Sequence, residues 1–313
     1  MRIAVLSGKG GTGKTLVSVN LAAVADGSTY IDCDIEEPNG HLFFKPEILD
    51  VAEVTVGIPQ VDRDLCDGCR QCVEFCRFNA LAYTTELMVF DEICHSCGGC
   101  GLVCPQNALT EVSKSIGQVR KGKSERVTVY TGQLNIGEAS GVPIIKKLLD
   151  EDYSGASGLT IIDSPPGSAC NVMETVEGAD YCILVAEPTL FGVHNFSMVH
   201  ELVELFGKPL GAVLNKCLDG EENPAELFCA DKGIKVLARI PFDPDLGRIN
   251  SNAEIVVRKD GKYRELFSTL LETVLREAVL RETGHSGEAA AESREAEPAG
   301  DPQCKPATEG GES

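Results

Sequence analysis

The feature that most constrains this chain is a glycine-rich loop near its start. Residues 8–15 read Gly-Lys-Gly-Gly-Thr-Gly-Lys-Thr, directly after the apolar stretch 2–7, and the helix-length stretch 14–25 begins within the loop. A loop of this pattern between a buried strand and a helix holds phosphate groups with its backbone N–H groups and the helix N-terminus. We therefore expect the chain to open with a βα unit that binds a nucleotide.

The side chains of this loop have separate predicted tasks. We expect Lys14 to reach the β- and γ-phosphates and the Thr15 hydroxyl to ligate Mg²⁺. The other predicted phosphate-binding residues of the loop are Gly8, Gly10, Gly11, Thr12 and Gly13. Because the residue pattern and its strand–helix context agree, a chance match is disfavoured.

Apolar strands alternate with helix-length segments along most of the remaining chain. The predicted strands after the first are 28–33, 127–130, 159–163, 181–186, 210–215 and 234–240. Buried strands that alternate with helices indicate a parallel sheet covered on both faces. The predicted fold class is therefore α/β, a parallel-sheet P-loop NTPase.

Two matching cysteine runs interrupt this alternation, and each has the spacing C-x2-C-x2-C-x3-C. The first run consists of Cys66, Cys69, Cys72 and Cys76, and the second of Cys94, Cys97, Cys100 and Cys104. In two-cluster ferredoxins, three thiolates of such a run bind one [4Fe–4S] cluster and the fourth binds the other cluster. Two tetrahedral zinc sites are the alternative, but they usually show two C-x2-C pairs separated by a longer loop.

The ferredoxin spacing predicts which cysteines share a cluster. One predicted set is Cys66, Cys69, Cys72 and Cys104, and the other is Cys94, Cys97, Cys100 and Cys76. The predicted cofactors are thus two [4Fe–4S] clusters, together with the nucleotide and Mg²⁺ of the glycine-rich loop.

These signals divide the chain into predicted domains. Residues 1–59 and 126–282 form a discontinuous nucleotide-binding domain, interrupted at 60–125 by a small α+β two-cluster ferredoxin domain with two half-repeats. Residues 283–313 are rich in Gly, Ala, Glu and Pro, so we predict a disordered acidic tail.

Composition restricts the partners. The formal net charge of −20 disfavours nucleic acid and anionic membranes as partners. The amphipathic stretch 263–282 has a mixed or acidic polar face, so we expect it to pack on the sheet rather than to bind a membrane. Fourteen cysteines without an export signal favour metal ligation in a reducing cytoplasm over disulfides.

A second lysine in the glycine loop indicates a family. Lys9 lies two places into the loop, as in the deviant Walker A motif of the MinD/Mrp/ParA class, which this chain resembles. To about residue 280 the chain is similar to MinD/Mrp-type ATPases that carry an inserted ferredoxin domain, and the segment 131–138 also looks like that subfamily. The resemblance implies an ATP-driven homodimer in which Lys9 crosses to the partner's nucleotide.

The same resemblance implies further site residues. Asp34 matches the residue that orients the attacking water, and Asp32 lies near Mg²⁺. Asp163 matches the Walker B aspartate, and it ends a predicted strand, where ligands bind in open α/β sheets. Asn215 and Pro241 match adenine-contacting positions, with capping or turn formation as the alternative.

Three functions are compatible with these features. The first is an ATPase that assembles or delivers a metal or iron–sulfur cofactor to an apo-metalloprotein. The second is ATP-gated electron transfer to a redox partner protein. The third is a non-enzymatic redox or nucleotide sensor, in which the nucleotide only sets the dimer state.

Overall fold

A nine-stranded sheet forms the centre of the protein, for which the computed structural model describes residues 1–150, 158–218, 220 and 222–292. The strands of this sheet and of a small hairpin are β1 Arg2–Leu6, β2 Thr29–Asp32, β3 Glu47–Val61, β4 Leu81–Tyr83, β5 Leu87–Val89, β6 Leu109–Ser124, β7 Val127–Leu134, β8 Thr160–Asp163, β9 Tyr181–Ala186, β10 Leu210–Cys217 and β11 Val236–Pro241.

Helices cover both faces of the sheet. They are α1 Lys14–Val24, α2 Gly40–Phe44, α3 Gln71–Phe75, α4 Gly99–Leu102, α5 Val142–Asp150, α6 Cys170–Glu177, α7 Leu190–Leu205, α8 Pro224–Asp231, α9 Pro244–Ser251 and α10 Gly261–Glu292, with a short 3₁₀ helix at Val256–Arg258.

The strand order is β11-β10-β9-β1-β8-β2-β7-β6-β3. Every neighbouring pair from β11 to β7 is parallel, whereas β6 runs antiparallel to both β7 and β3. The predicted parallel-sheet α/β fold is therefore confirmed for the larger part of the sheet.

The central strands are apolar throughout because both of their faces are buried. In β1, Ile3 and Val5 join a hydrophobic cluster with α1 and α10, while Ala4 and Leu6 join the cluster beneath α5 to α8. Alternate residues of a strand point to opposite faces, so a strand between two helical layers has no polar side.

The predictions missed a long antiparallel pair, β3 with β6. The two strands pair from Glu47 with Lys123 to Val61 with Leu109, but β7 covers β6 only from Gly117 onward. Residues 55–61 and 109–116 therefore form a two-stranded extension, here called the arm. Charged and polar residues occupy most positions of β6, so it lacks the apolar run typical of a buried strand.

The cysteine-rich segment 62–108 connects the two strands of the arm. Its elements are short, and Cys72, Leu81, Leu87 and Leu109 form a small hydrophobic cluster of their own. Left-handed φ angles recur at equivalent positions of the two half-repeats, at Gly68 and Ser96, Arg70 and Gly98, and Asn79 and Asn107. The duplication read from the sequence is thus also a duplication of backbone conformation.

The predicted amphipathic helix packs on the sheet. Tyr263, Phe267, Leu270 and Val274 of α10 are buried in the cluster that contains α1. The helix continues to Glu292, beyond the predicted end at residue 282, and residues 293–313 of the predicted acidic tail lie outside the described residues. In the described part of the chain, no helix combines the length and apolar character needed to cross a membrane.

Candidate functional site

A cleft of about 440 Å³ lies at the carboxyl ends of the central parallel strands. Its predicted residues are Lys9, Gly10, Gly11, Gly13, Lys14, Thr15 and Asp34, and its other walls include Ile35, Glu36, Glu37, Asn39, Pro165, Pro166, Asn171 and Asn250. Ligands of open α/β sheets bind at this edge. The structure therefore brings most of the predicted loop residues to one cavity.

The glycines of the loop are required by its geometry. Gly11 and Gly13 have φ angles of 76° and 104°, which residues with a side chain rarely adopt. A Cβ on Gly13 would also lie 2.1 Å from Asn215 Nδ2, and a Cβ on Gly8 would lie 2.1 Å from the Asn195 carbonyl oxygen. The buried Thr12 hydroxyl donates to the Lys9 carbonyl at 3.0 Å and braces the turn.

Lys14 contacts two of the predicted acidic residues, Asp34 in the cleft and Asp163 behind it. Its Nζ donates to Asp163 Oδ1 at 2.6 Å and lies 3.6 Å from Asp34 Oδ2. Burial lowers the pKa of Lys14, but the charges of Asp163 and Asp34 outweigh burial and raise that pKa overall. Lys14 therefore stays cationic at neutral pH, as a residue that binds phosphates must.

Asp32 and Asp163 are buried carboxylates behind the cleft. Asp32 accepts hydrogen bonds from the backbone N–H groups of Gly40, at 2.8 Å, and Asp34, at 3.2 Å, while Tyr30 donates to Asp163 at 2.8 Å. Burial, followed by the charge of Asp163, raises the pKa of Asp32. Carboxylate and hydroxyl oxygens are the ligands that Mg²⁺ prefers, and the charge of the ion would compensate these carboxylates.

The cysteine runs line two cavities on the segment 62–108. Cys66, Cys69, Cys72 and Cys104 line one of them, here called the first thiol cavity. Cys76, Cys94, Cys97 and Cys100 line the other, here called the second thiol cavity. Each cavity thus receives three cysteines of one run and the fourth of the other.

Backbone hydrogen bonds to sulfur repeat with the cysteines. The N–H of Ala80 donates to Cys76 Sγ at 3.4 Å, and the N–H of Ala108 donates to Cys104 Sγ at 3.3 Å. Such bonds stabilise thiolates, and four thiolates around a cavity are the donor set of an iron–sulfur cluster. Among the described residues, no group of three or more His, Cys, Asp or Glu side chains is arranged to hold a single metal ion.

Comparison with known proteins decides the family. Residues 3–256 match the family model of the CobQ/CobB/MinD/ParA nucleotide-binding domain. The chain belongs to this family. It is a P-loop ATPase of the MinD/ParA type, which confirms the nucleotide-binding and ATPase predictions.

Relatives and structural neighbours cover most of the chain. An uncharacterized protein of Methanocaldococcus jannaschii is 29% identical over 275 residues, which are 87% of this chain and 95% of that protein. An iron–sulfur cluster carrier protein of Pyrococcus horikoshii is 26% identical over 298 residues, 88% of this chain and 85% of that protein. The septum site-determining protein MinD of Pyrococcus horikoshii, complexed with Mg-ADP, superposes with a TM-score of 0.54 at 17% identity, covering 87% of this chain and 95% of that one, and shares the fold.

Two predicted nucleotide contacts of this ATPase lie outside the cleft that contains Lys14. The Asn215 side chain is buried, and its Nδ2 donates to the Thr12 carbonyl at 2.8 Å, so it supports the glycine loop from behind. Pro241 ends β11, where it pairs with Cys217 at the end of β10. Adenine contact by Asn215 and Pro241 therefore stays a prediction.

Lys9 of the ATPase has a partner that the sequence analysis missed. Its ammonium group donates to the Glu187 carboxylate and lies 5.2 Å from the ring centroid of Phe191. Glu187 also pairs with Lys216 at 3.2 Å, and Lys216 donates to the Gly11 carbonyl at 2.9 Å. Burial raises the pKa of Glu187, but the bonds from Lys9 and Lys216 outweigh burial and lower that pKa.

A signal for Glu187 was present in the sequence. It follows the wholly buried strand β9 directly, just as Asp163 ends the buried strand β8. A charged residue at the carboxyl end of a parallel strand is a candidate site residue by the argument that selected Asp163.

Proposed function

We propose that this ATPase is a homodimeric switch that carries two resident [4Fe–4S] clusters and assembles or delivers a metal or iron–sulfur cofactor to an apo-metalloprotein. The observation that carries the proposal is the pair of cavities, each lined by four cysteines, on a segment joined to the nucleotide-binding sheet. Three thiols of one run and one of the other are what a two-cluster ferredoxin requires.

The residues around the thiol cavities support resident clusters. Burial raises the pKa of the Cys72 and Cys100 thiols, and a bound metal would offset this effect by stabilising their thiolate form. The backbone N–H groups of Ala80 and Ala108 already point at sulfur. Bound clusters would supply one-electron chemistry, and the chain's own residues hold and shield them.

The cleft supports ATP hydrolysis by positioned charges. Lys14 lines the cleft, where its charge can neutralise phosphate oxygens, and Asp34 is a partly exposed carboxylate whose Oδ2 lies 3.6 Å from Lys14 Nζ. Asp163 and Thr15 would hold Mg²⁺, and Asp34 would orient the attacking water.

Two observations support a dimer that delivers a cofactor. Lys9 lies beside Phe191, a large apolar side chain that is 64% exposed next to the cleft, as expected of a surface that another copy covers. The relative named as an iron–sulfur cluster carrier protein covers most of both chains, although its identity to this chain is only 26%.

ATP-gated electron transfer to a redox partner is the second candidate. The observation that favours it is a groove beside the second thiol cavity. This groove is lined by Cys94 of that cavity and by Glu138, which lies on the segment after β7. Electron gating requires such a physical connection, whereas a passive electron store does not.

The test begins with protein purified without oxygen. We expect about eight iron atoms per chain, four for each [4Fe–4S] cluster. With MgATP and a separate supply of the [4Fe–4S] cluster to be delivered, the wild type should activate an apo-protein that needs this cluster, and Lys14→Ala should retain its own iron but fail to activate the acceptor. Iron far below this value, or zinc in its place, would refute the resident clusters. ATP binding without turnover would favour the sensor.

A further inference from the structure

A groove joins the second thiol cavity to the body of the ATPase. Cys94, His95 and Ser96 line the groove on the side of the cysteine-rich segment, together with Ile116, Glu138 and Pro143 of the ATPase body and the arm. Lys114 of β6 also lines the groove. The contacts of this groove can be followed residue by residue back to the nucleotide cleft.

The series of contacts between the nucleotide cleft and the groove begins at Ile35. This residue follows Asp34, lines the cleft and is 1% exposed. Its carbonyl accepts a hydrogen bond from the Leu134 N–H at 2.9 Å, and its side chain fills space left by two glycines. A Cβ would lie 2.7 Å from Ile35 Cγ2 if placed on Gly132, and 1.9 Å from Cδ1 if placed on Gly141. Movement of Ile35 must therefore move the end of β7.

The end of β7 is in turn fixed to the arm. The Asn135 N–H donates to the Ile116 carbonyl at 2.9 Å, and Asn135 Nδ2 donates to the Ser115 carbonyl at 3.3 Å. A turn with Gly137 at a φ of 87° then brings Glu138 back toward β6. The segment 134–138 thus contacts both the cleft residue Ile35 and the arm.

Lys114 completes the path to the cysteines. Its Nζ lies 2.9 Å from Glu138 Oε2, donates to the Asp91 carbonyl at 3.2 Å and lies 3.8 Å from the Asp91 carboxylate. Asp91 belongs to the loop that leads into Cys94. The Lys114 and Glu138 side chains are only 20% and 12% exposed, so solvent screens this ion pair less than a surface pair.

We propose that the Lys114–Glu138 ion pair couples the nucleotide cleft to the second thiol cavity. The inference rests on the proposed function, because it needs the cluster held by Cys76, Cys94, Cys97 and Cys100. Nucleotide that repositions Ile35 shifts the segment 134–138, which changes how closely Glu138 neutralises the Lys114 cation beside Cys94. Lys114 is a positioning residue in this account, since it contacts neither nucleotide nor sulfur.

The coupling has a measurable size and is reciprocal. Typical couplings between sites change an equilibrium about five- to 150-fold. We expect MgATP to change the reduced-to-oxidised ratio of the second cluster at least about fivefold, where a tenfold change corresponds to 59 mV for one electron. The affinity for ATP must change by the same factor when that cluster is reduced.

The experiment uses the full chain purified without oxygen. Redox titrations followed by EPR, with and without MgATP, are compared for the wild type, Lys114→Met, Glu138→Gln and the control Lys123→Met. Lys123 has an exposed side chain on the same strand, so its substitution removes an equal charge without touching the groove. Hydrogen exchange of residues 91–97 with and without MgATP gives a second readout that needs no turnover.

Support requires a combined result. Lys114→Met and Glu138→Gln should reduce the MgATP effect on the second cluster below about twofold and abolish the exchange change at 91–97, while Lys123→Met keeps both. A wild-type response in Lys114→Met and Glu138→Gln would overturn the inference. Intact clusters and ATP binding with no MgATP effect in the wild type would overturn it as well, yet leave the proposed function standing. Iron far below about eight atoms would refute both proposals.

Discussion

The two thiol cavities are built by repeated sequence but lie in different surroundings. The first contains Asp67, Arg70 and Tyr83 in its walls, and the Arg70 guanidinium lies 5.0 Å from the Tyr83 ring centroid. In the second, the Phe78 ring stacks on the His95 ring with the ring centroids 3.8 Å apart. Cys94 of this cavity also lines the groove that contains Glu138. Because the cysteine spacing and the left-handed turns are repeated, both half-repeats form a cavity lined by four cysteines. The other residues around each cavity differ, because the two cavities lie at different places relative to the arm.

This difference suggests a division of work between the proposed clusters. Only the second cavity adjoins the path to the nucleotide cleft, so the second cluster should respond to ATP. The first cavity has a carboxylate where the second has an imidazole, because Asp67 and His95 occupy equivalent positions of the repeats. A carboxylate disfavours the more negative reduced cluster, so electrons should pass from the first cluster to the second.

The largest expected effect concerns the fourth cysteine of each run, which lines the cavity of the other run. Cys69→Ser and Cys76→Ser alter the same run, yet each should eliminate a different cluster, and each variant should retain about four of eight iron atoms. Only Cys76→Ser should lose the ATP-sensitive EPR signal. Loss of the same cluster in both variants would show that the four cysteines of each run bind one cluster. The assignment of Cys76 to the second cavity and Cys104 to the first would then be wrong.

Lys14→Ala should impair the nucleotide cleft without affecting assembly of the clusters in the thiol cavities. Loss of this cation should lower ATP hydrolysis about 100-fold or more, because charge stabilisation at the transferred phosphate disappears. Both clusters should assemble normally, and neither should respond to MgATP. Phosphate release and iron content measure the two effects, with Lys123→Met as the matched lysine control. Hydrolysis near the wild-type rate would contradict the assignment of Lys14.

Gly132→Ala tests the packing around Ile35. The added methyl would lie 2.7 Å from Ile35 Cγ2 and 2.8 Å from Leu148 Cδ1, so the buried core must shift. We expect the free energy of unfolding to fall by about 1–3 kcal/mol and the ATP response of the second cluster to weaken. In the control Gly247→Ala, a Cβ within helix α9 has no neighbour within 4 Å, so stability should be unchanged or slightly higher. Equal unfolding midpoints in urea for the two variants would refute this packing argument.

Local patterns explain why part of this molecule could be predicted. The glycine loop, the strand-end Asp163 and the cysteine spacing are set by residues close together in the sequence. The structure places most of the loop residues in one cleft, with Asp163 bonded to Lys14 behind it, and the cysteines in two cavities. The length of β6 and its pairing with β3 were not predicted, because pairing with β3 and β7, and not an apolar run, stabilises this strand.

The Lys114–Glu138 ion pair could not be predicted for a related reason. It depends on where the arm meets the turn after β7, and neither residue differs in kind from the many surface charges of an acidic chain. The pairing of Lys9 with Glu187 likewise joins two loops that follow different strands, β1 and β9, although the position of Glu187 directly after a buried strand was visible in the sequence.

Asp67→Asn should have the smallest effect and tests the electrostatic difference between the cavities. Hydrogen bonds from the Cys69 N–H, at 3.0 Å, and Gln106, at 3.1 Å, hold the pKa of Asp67 below its ordinary value, so it is a carboxylate at neutral pH. Removing this charge should raise the potential of the first cluster by roughly tens of millivolts, less at high salt because the residue is exposed.

The control for this substitution is Asp64→Asn, which removes the same charge from an exposed residue of the same loop that does not line the cavity. Redox titration should show a shift of the first cluster in Asp67→Asn only, and no shift of the second. Equal shifts of both clusters would mean that the two cavities experience one common field. The ordering of their potentials would then have to come from solvent exposure or from Arg77 in the wall of the second cavity, and not from the exchange of Asp67 for His95 between the repeats.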